Sequence, residues 1–292
     1  MKKIAWIGTG VMGNSMVSHL IDAGYPVSIY TRSKEKAENL KERAAVYDSI
    51  AEAVKDADVV ISMVGYPKDV ESVYAGDQGV FKCAKKGALC IDMTTSSPSL
   101  AQKLYVMAQS NSLRMLDAPV SGGDIGAKNA TLSIMVGGDH GDFEEAGEFF
   151  ALLGKTVTYI GKAGSGQHCK MANQIVVAGN IAAISESMYY AKNAGVDPNI
   201  ILQAISGGAA GSWQVNNNGP KILKENYDPG FYIHHFIKDL TLVEEEAGKV
   251  DISLPVVHQV LALYRQLMDE GYGQLGTQAL IKAYKKNNDS NN

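Results

Sequence analysis

The residues best suited to proton transfer fall on one stretch in the middle of the chain, from Gly164 to about Asn193. In the segment Gly164–Gln174 (GSGQHCKMANQ), Lys170, Asn173 and Gln174 are spaced i, i+3 and i+4, which puts them on one face of a helix. From Gln167 to about Asn193 the run has no proline and carries small or apolar residues on nearly every face, among them Met171, Ile175, Val176, Ala178, Ile181, Ala182 and Ile184. A helix apolar all round is a buried one, so Lys170 is expected to be partly buried. Burial disfavours an ammonium and lowers its pKa, which suits general acid–base work. The competing account is a lysine whose stem snorkels out of the first turns. A cation near a helix N-terminus opposes the macrodipole, so stability alone does not select it there. A second candidate is Asp117–Gly123 (DAPVSGG), which follows a predicted strand. Ser121 offers a hydroxyl, and Gly122 and Gly123 offer unobstructed N–H groups, a combination that suits a carboxylate ligand. A tight turn needing positive φ explains the same glycines, and the residues fit both accounts.

The strongest ligand signal lies at the N-terminus. Lys3–Gly8 (KIAWIG) reads as a short buried strand, followed at once by Gly8, Thr9, Gly10, Val11, Met12 and Gly13, an amphipathic run to about Gly24, and a second strand at Val27–Tyr30. Strand, GxGxxG, helix, strand is the dinucleotide-binding fingerprint in its required context. The glycines allow a tight turn, approach of a pyrophosphate to the backbone, and close helix–sheet packing, and the phosphates then meet the free N–H groups of the helix N-terminus. An acid about 20 residues on would bond an NAD ribose. Thr31 occupies that place, followed by Arg32, with Lys34 and Lys36 beyond. An arginine clamps a 2′-phosphate where a carboxylate repels it, so NADP(H) is favoured over NAD(H); ordinary solvated charges at a helix start are the other account.

These residues need a scaffold, and the chain supplies one in two parts. Apolar or β-branched runs at Ala57–Val64, Ala88–Met93, Arg114–Ala118, Leu132–Val136 and Thr156–Ile160 alternate with helical periodicity at Lys68–Tyr74, Ser99–Ser110 and Asp142–Leu153. That alternation predicts an α/β Rossmann domain with a mostly parallel sheet, ending near Gly161. The long helix after it would extend about 40 Å at roughly 1.5 Å per residue. Asp197-Pro198 reads as an N-cap with proline at N1, opening a helix to Ser206. Helical runs follow at Val215–Glu225, His234–Lys249, Pro255–Glu270 and Thr277–Lys285, and the polar tail Asn287–Asn292 is expected to be disordered. The division is therefore 1–162 (Rossmann, dinucleotide-binding), 163–193 (connecting helix) and 194–292 (an all-α domain for substrate and oligomerisation).

Composition agrees with a soluble enzyme: 292 residues, 46% hydrophobic and 20% charged, with a net charge of −4. Nothing points to nucleic acid or to an anionic membrane surface. Cys83, Cys90 and Cys169 lack any metal spacing and read as thiols of a reducing compartment. His234-His235 has no matching carboxylate cluster, so no metal site is expected. The first apolar segment is a strand broken by glycines rather than a signal peptide, and no run approaches the roughly 18 apolar residues of a membrane span. The expected location is the cytoplasm.

Together these motifs resemble the β-hydroxyacid dehydrogenase family, which includes 3-hydroxyisobutyrate dehydrogenase, tartronate semialdehyde reductase and the glyoxylate/succinic semialdehyde reductases, with 6-phosphogluconate dehydrogenase more distant. The resemblance runs from Lys3 to about Ala283: GxGxMG at Gly8–Gly13, DAPVSGG at Asp117–Gly123, GxGxxxKxxNQ at Gly164–Gln174, and a KDL segment at Lys238–Leu240. It implies hydride exchange between a nicotinamide cofactor and a small β-hydroxy acid or semialdehyde. Lys170 would be the general acid/base, and Ser121, Gly122, Gly123 and Asn173 would hold the substrate carboxylate. Trp213, beside Ser212, would shape the far wall of the substrate pocket. Thr95 would contact the cofactor near its nicotinamide ribose, Met63 and Val64 would line the cofactor cleft, and Lys238 would reach back to the bound cofactor. A homodimer or homotetramer is also implied. A short-chain dehydrogenase would need a Tyr-x-x-x-Lys catalyst, and the only such spacing, Tyr30 to Lys34, sits at the wrong end of a strand. A decarboxylating 6-phosphogluconate enzyme would need a larger helical domain and more bases. The alternative from a different class is a catalytically inactive NADP-binding sensor or structural module, against which Lys170 and Asn173 count.

Overall fold

The computed structural model describes the backbone of residues 1–289 and the side chains of residues 1–285. The chain forms two compact units, Met1–Lys170 and Met171–Asn292. Among the described residues no helix is long and apolar enough to cross a membrane.

The first unit is built on a nine-stranded sheet: β1 (Ile4–Ile7), β2 (Val27–Tyr30), β3 (Ala45–Tyr47), β4 (Val59–Ser62), β5 (Leu89–Asp92), β6 (Arg114–Asp117), β7 (Val120–Ser121), β8 (Leu132–Gly137) and β9 (Gly154–Gly161). The order is β3-β2-β1-β4-β5-β6-β8-β7, with β9 paired to β8. The first six strands are mutually parallel, β8 runs antiparallel to β6 and β7, and β9 is parallel to β8. This is the doubly wound order, whose ligand crevice lies beyond the carboxyl ends of β1 and β4. The central strands are buried on both faces, which is why their sequences are continuous apolar runs rather than alternating ones. Alternation persists in direction: Ile4, Trp6, Val59, Ile61, Leu89 and Ile91 enter one core, while Ala5, Ile7, Val60 and Cys90 enter the other.

Seven helices cover the sheet: α1 (Val11–Asp22), α2 (Ile50–Val54), α3 (Pro67–Ala75), α4 (Val80–Cys83), α5 (Pro98–Ser110), α6 (Gly123–Lys128) and α7 (His140–Phe150). The short β3, β7, α2, α4, α6 and a 3₁₀ turn at Lys34–Leu40 escape the periodicity argument, being too brief to show a period. One of them did carry a signal. Ser49 and Glu52 stand three apart at the start of α2, and the Glu52 N–H donates to Ser49 Oγ at 3.2 Å, an N-cap legible as S-x-x-E.

The second unit is helical. It begins within α8 (Ser165–Asn193) and continues with α9 (Pro198–Ser206), α10 (Gly219–Leu223), α11 (Ile233–Gly248), α12 (Pro255–Asp269) and α13 (Ile281–Asp289) around one core of Ile181, Ile184, Phe236, Leu240, Leu261 and Tyr264. Asp197 caps α9 as its sequence predicts, accepting from the Asn199 N–H at 2.9 Å. Three expectations need correction. The helix α8 is not buried all round: Met171, Gln174, Ala178, Ile181 and Ile184 form its inner stripe, whereas Ala172 and Ala183 are exposed and Val176 is 61% exposed. A continuous helix over Val215–Glu225 is absent. A π turn at Gln214–Asn218 gives way to α10 at Gly219-Pro220, because proline lacks the N–H and clashes with the preceding turn. The last run opens as a 3₁₀ turn, Thr277–Leu280, before α13, whose backbone extends to Asp289; the rest of the expected disordered tail, 290–292, lies outside the described residues.

Candidate active site

The fingerprint turn joins β1 to α1. Gly8 has φ +99°, and a Cβ there would stand 2.3 Å from the Met63 carbonyl oxygen. A Cβ on Gly13 would lie 2.1 Å from the Gly8 carbonyl oxygen. Trp6 Nε1 donates to that same oxygen at 2.7 Å. These two glycines are therefore demanded by the protein's own packing. Gly10 is not: a Cβ there meets nothing within 4 Å. Thr9 is buried, and its Oγ1 has no hydrogen-bond partner among the described residues. An empty approach at the middle glycine, a buried hydroxyl without a partner and the N-terminus of α1, bordered by Val11 and Met12, together fit the diphosphate of a dinucleotide.

Thr31 is buried at the carboxyl end of β2, and Arg32 beside it projects outward, its side chain 83% exposed, with Nη1 3.1 Å from Asp69 Oδ1 at the start of α3. Lys34 pairs with Asp48. Met63 and Val64, both half-buried, follow β4, and the Val64 N–H donates to Thr94 Oγ1 at 3.0 Å. This ties the end of β4 to the loop after β5 that contains half-buried Thr95. Beneath that loop Ser62 Oγ donates to Asp92 Oδ1 at 2.8 Å and lies 2.9 Å from the Tyr74 hydroxyl, while the Thr94 N–H donates to Asp92 Oδ1 at 3.1 Å. Burial pushes the Asp92 carboxyl up to about 6, against the hydrogen bonds from Thr94 and Ser62, which pull it down.

Asp92 binds a proton more tightly folded than at its ordinary 3.8, so its burial costs stability as pH rises from about 4 to about 6. Ser62→Ala removes a bond to the ionised form and raises that pKa further. The variant is expected to lose about 1–3 kcal/mol at pH 8 and less at pH 5, read by urea unfolding.

Ser121 ends β7 half-buried, and Gly122 (φ +134°) and Gly123 (φ +65°) turn the chain into α6. The backbone itself requires glycine at both positions, so the turn account explains the residue types without a ligand. Lys170 lies in the second turn of α8 and is 6% exposed, as the apolar surroundings of its sequence predict. Two residues that sequence reasoning passed over fix the start of that helix. Asp117, at the end of β6, accepts from the Gly164 N–H at 2.7 Å through Oδ1 and from the Gln167 N–H at 2.9 Å through Oδ2. Burial raises its carboxyl and these N–H donors hold it down, leaving it above the ordinary range. Gln167 is fully buried; its Nε2 donates to the Thr94 carbonyl at 2.7 Å and its Oε1 accepts from the Ser96 N–H at 2.9 Å. Asp117 and Gln167 lie inside the DAPVSGG and GxGxxxKxxNQ motifs, which was the signal available.

In the helical unit a second polar chain appears. Asn173 Nδ2 donates to Gln174 Oε1 at 2.7 Å, and Gln174 Nε2 donates to Asp239 Oδ2 at 2.6 Å. Lys238 Nζ is 2.9 Å from Asp239 Oδ1. Buried Asp239, unassigned from sequence, thus organises Asn173 and Lys238 together. Trp213 caps the π turn and is 58% exposed. His235, half-buried near His234 and Lys238, has its pKa lowered to about 4, burial being the larger cause. Among the described residues no group of three or more His, Cys, Asp or Glu side chains is placed to hold a metal.

Residues 3–161 match the family described as the NAD binding domain of 6-phosphogluconate dehydrogenase, and residues 164–284 match the NAD-binding family of NADP-dependent 3-hydroxyisobutyrate dehydrogenase. The chain is 48% identical over 286 residues to an uncharacterized oxidoreductase of Bacillus subtilis, covering 98% of this chain and 99% of that one. It is 37% identical over 281 residues to 2-hydroxy-3-oxopropionate reductase of Escherichia coli, covering 96% of each. Among solved structures, the 3-hydroxyisobutyrate dehydrogenase of Mycobacterium tuberculosis, described with L-serine, superposes with a TM-score of 0.90 at 30% identity, covering 97% of this chain and 99% of that one. With the doubly wound sheet, the fingerprint turn and the helix-borne lysine, these likenesses place the chain in the β-hydroxyacid dehydrogenase family of NAD(P)-dependent oxidoreductases.

Proposed function

We propose that the protein interconverts a small carboxylate-bearing aldehyde and the corresponding β-hydroxy acid, with Lys170 as general acid/base and NADP(H) preferred over NAD(H). The observation that carries this reading is Lys170 itself: a lysine 6% exposed, near the positive end of α8, where neither solvation nor the helix dipole favours a charge. When bound, the reduced nicotinamide supplies the hydride. The carbonyl carbon gains that hydride, and the Lys170 ammonium gives its proton to the carbonyl oxygen and then regains one from water; in oxidation the neutral amine takes the hydroxyl proton. Ser121, Gly122 and Gly123 are assigned to the substrate carboxylate, as are Asn173 and Trp213 to the substrate. Thr95 and Lys238 are assigned to the cofactor, along with Thr9, Met63 and Val64.

Arg32 supports the NADP(H) preference because it stands beside Thr31, in the place where an acid would bond a free ribose hydroxyl. The test is an absorbance screen of NADPH and NADH against glyoxylate, succinic semialdehyde, tartronate semialdehyde and methylmalonate semialdehyde. Turnover is expected with at least one of them, with the higher kcat/KM for NADPH. Arg32→Ser is expected to lower the NADPH preference by about 10-fold or more, the worth of a charge-assisted hydrogen bond. A parent enzyme that prefers NADH would overturn the role of Arg32. Silence with all four aldehydes would overturn the substrate class.

A further inference from the structure

The geometry points to Gln167 as a positioning residue, setting the place of Lys170 relative to the loop that carries Thr95. This inference rests on the proposed role of Lys170. Within the first unit, the start of α8 is already anchored without the Gln167 side chain. Asp117 takes the Gly164 and Gln167 N–H groups. Gly166 packs so closely that a Cβ there would stand 2.5 Å from the Met135 carbonyl oxygen and 2.7 Å from that of Asp117. Gly137 is equally tight, its Cβ position 2.6 Å from Asp117 Oδ1 and 2.7 Å from the Gly166 nitrogen. The helix start therefore sits backbone to backbone on the ends of β6 and β8, with less clearance than one methyl group.

The Gln167 side chain adds something different. It is fully buried, and both ends of its amide leave the helix to grip the backbone on either side of Thr95, at the Thr94 carbonyl and the Ser96 N–H. An apolar side chain of the same length would fill the volume without burying an amide. What the amide supplies is a fixed register. Thr94 in turn receives the Val64 N–H, so bonded contacts run from the end of β4, through the Thr94–Ser96 loop, to Gln167 and thence one helical turn to Lys170. Proton transfer needs donor and acceptor placed closely, and a misplacement of about 1 Å costs on the order of 100-fold in rate.

The test is a double-mutant cycle in kcat, by single turnover with enzyme in excess, using the best aldehyde from the screen. Gln167→Met keeps length and helix propensity but cannot make either bond. It is expected to lower kcat about 10- to 100-fold beside Lys170 and less than about threefold in the Lys170→Ala background, because a residue acting through Lys170 has nothing left to position. Equal losses in both backgrounds, or no loss beside Lys170, would overturn the inference. If Lys170→Ala itself turns over like the parent, the role of Lys170 has failed first, and the two failures are thereby told apart. Should Gln167→Met be recovered unfolded, Gln167→Leu, a strong helix former that also makes neither bond, runs the same cycle with the same two outcomes.

Discussion

Lys170→Ala is expected to lower kcat by about 10²–10⁴-fold, the usual worth of a positioned general acid or base, while the Kd for NADPH stays within about threefold of the parent. Alanine is the best helix former, so α8 should persist. The fold should also survive, since the first unit's core is apolar on both sheet faces. Lys170→Arg makes the sharper comparison. It keeps a cation but stays protonated at every accessible pH, so it cannot act as the base in oxidation, and its planar fork is longer than the lysine stem. It is expected to be as slow as alanine in the oxidative direction. The measurement is nicotinamide absorbance for turnover and nucleotide fluorescence for binding. Near-normal turnover of Lys170→Ala would remove the lysine from the chemistry.

The second large effect separates two glycines of one motif. Gly10 lies at φ −63° and ψ −174°, where alanine is unstrained, and its Cβ would meet nothing within 4 Å. Gly10→Ala should therefore fold at least as well as the parent, gaining up to about 1 kcal/mol from a stiffer unfolded chain. Yet the methyl would stand at the N-terminus of α1, whose first N–H groups have no partner within the helix and are the expected contact of the diphosphate. Loss of NADPH affinity by about 100-fold, without loss of melting temperature, is the expected result. Gly13→Ala behaves otherwise. Its Cβ would lie 2.1 Å from the Gly8 carbonyl oxygen, which is backbone and cannot swing aside. Overpacking of this kind costs about 1–3 kcal/mol, so Gly13→Ala should lose both stability and cofactor binding. Parent-like NADPH binding by Gly10→Ala would mean that no ligand group passes over residue 10.

Much of this is legible in the sequence because it is local. The strands β1, β4 and β5 announce themselves as short apolar runs, since a strand buried on both faces has no polar side to interrupt it. Asp197-Pro198 marks a helix start because an acceptor and a fixed φ are both needed there. The burial of Lys170 follows from its neighbours along the helix. The exposed side of α8 is not legible in this way: apolar residues stand on every face of the run, but in this fold only the stripe through Ala178, Ile181 and Ile184 packs into the helical core, and Val176 remains outside. The break before α10 is a case in which apolar periodicity suggests one helix while Pro220, which lacks an N–H, starts a new one.

By itself the sequence determined the fold class, the family and the conformational demands of single residues, because propensity, hydrophobic period and glycine's access to positive φ act within a few residues of chain. Only the tertiary structure decided which buried polar groups answer each other. Asp117 meets residues 47 and 50 positions away, Gln167 reaches back 73 to Thr94, and Asp239 joins Gln174 across 65. No period in the chain encodes such pairs. They exist because the sheet order sets β5 beside β6 and because a buried amide or carboxylate, cut off from water, must find its partner in whatever strand end or helix the packing brings to it.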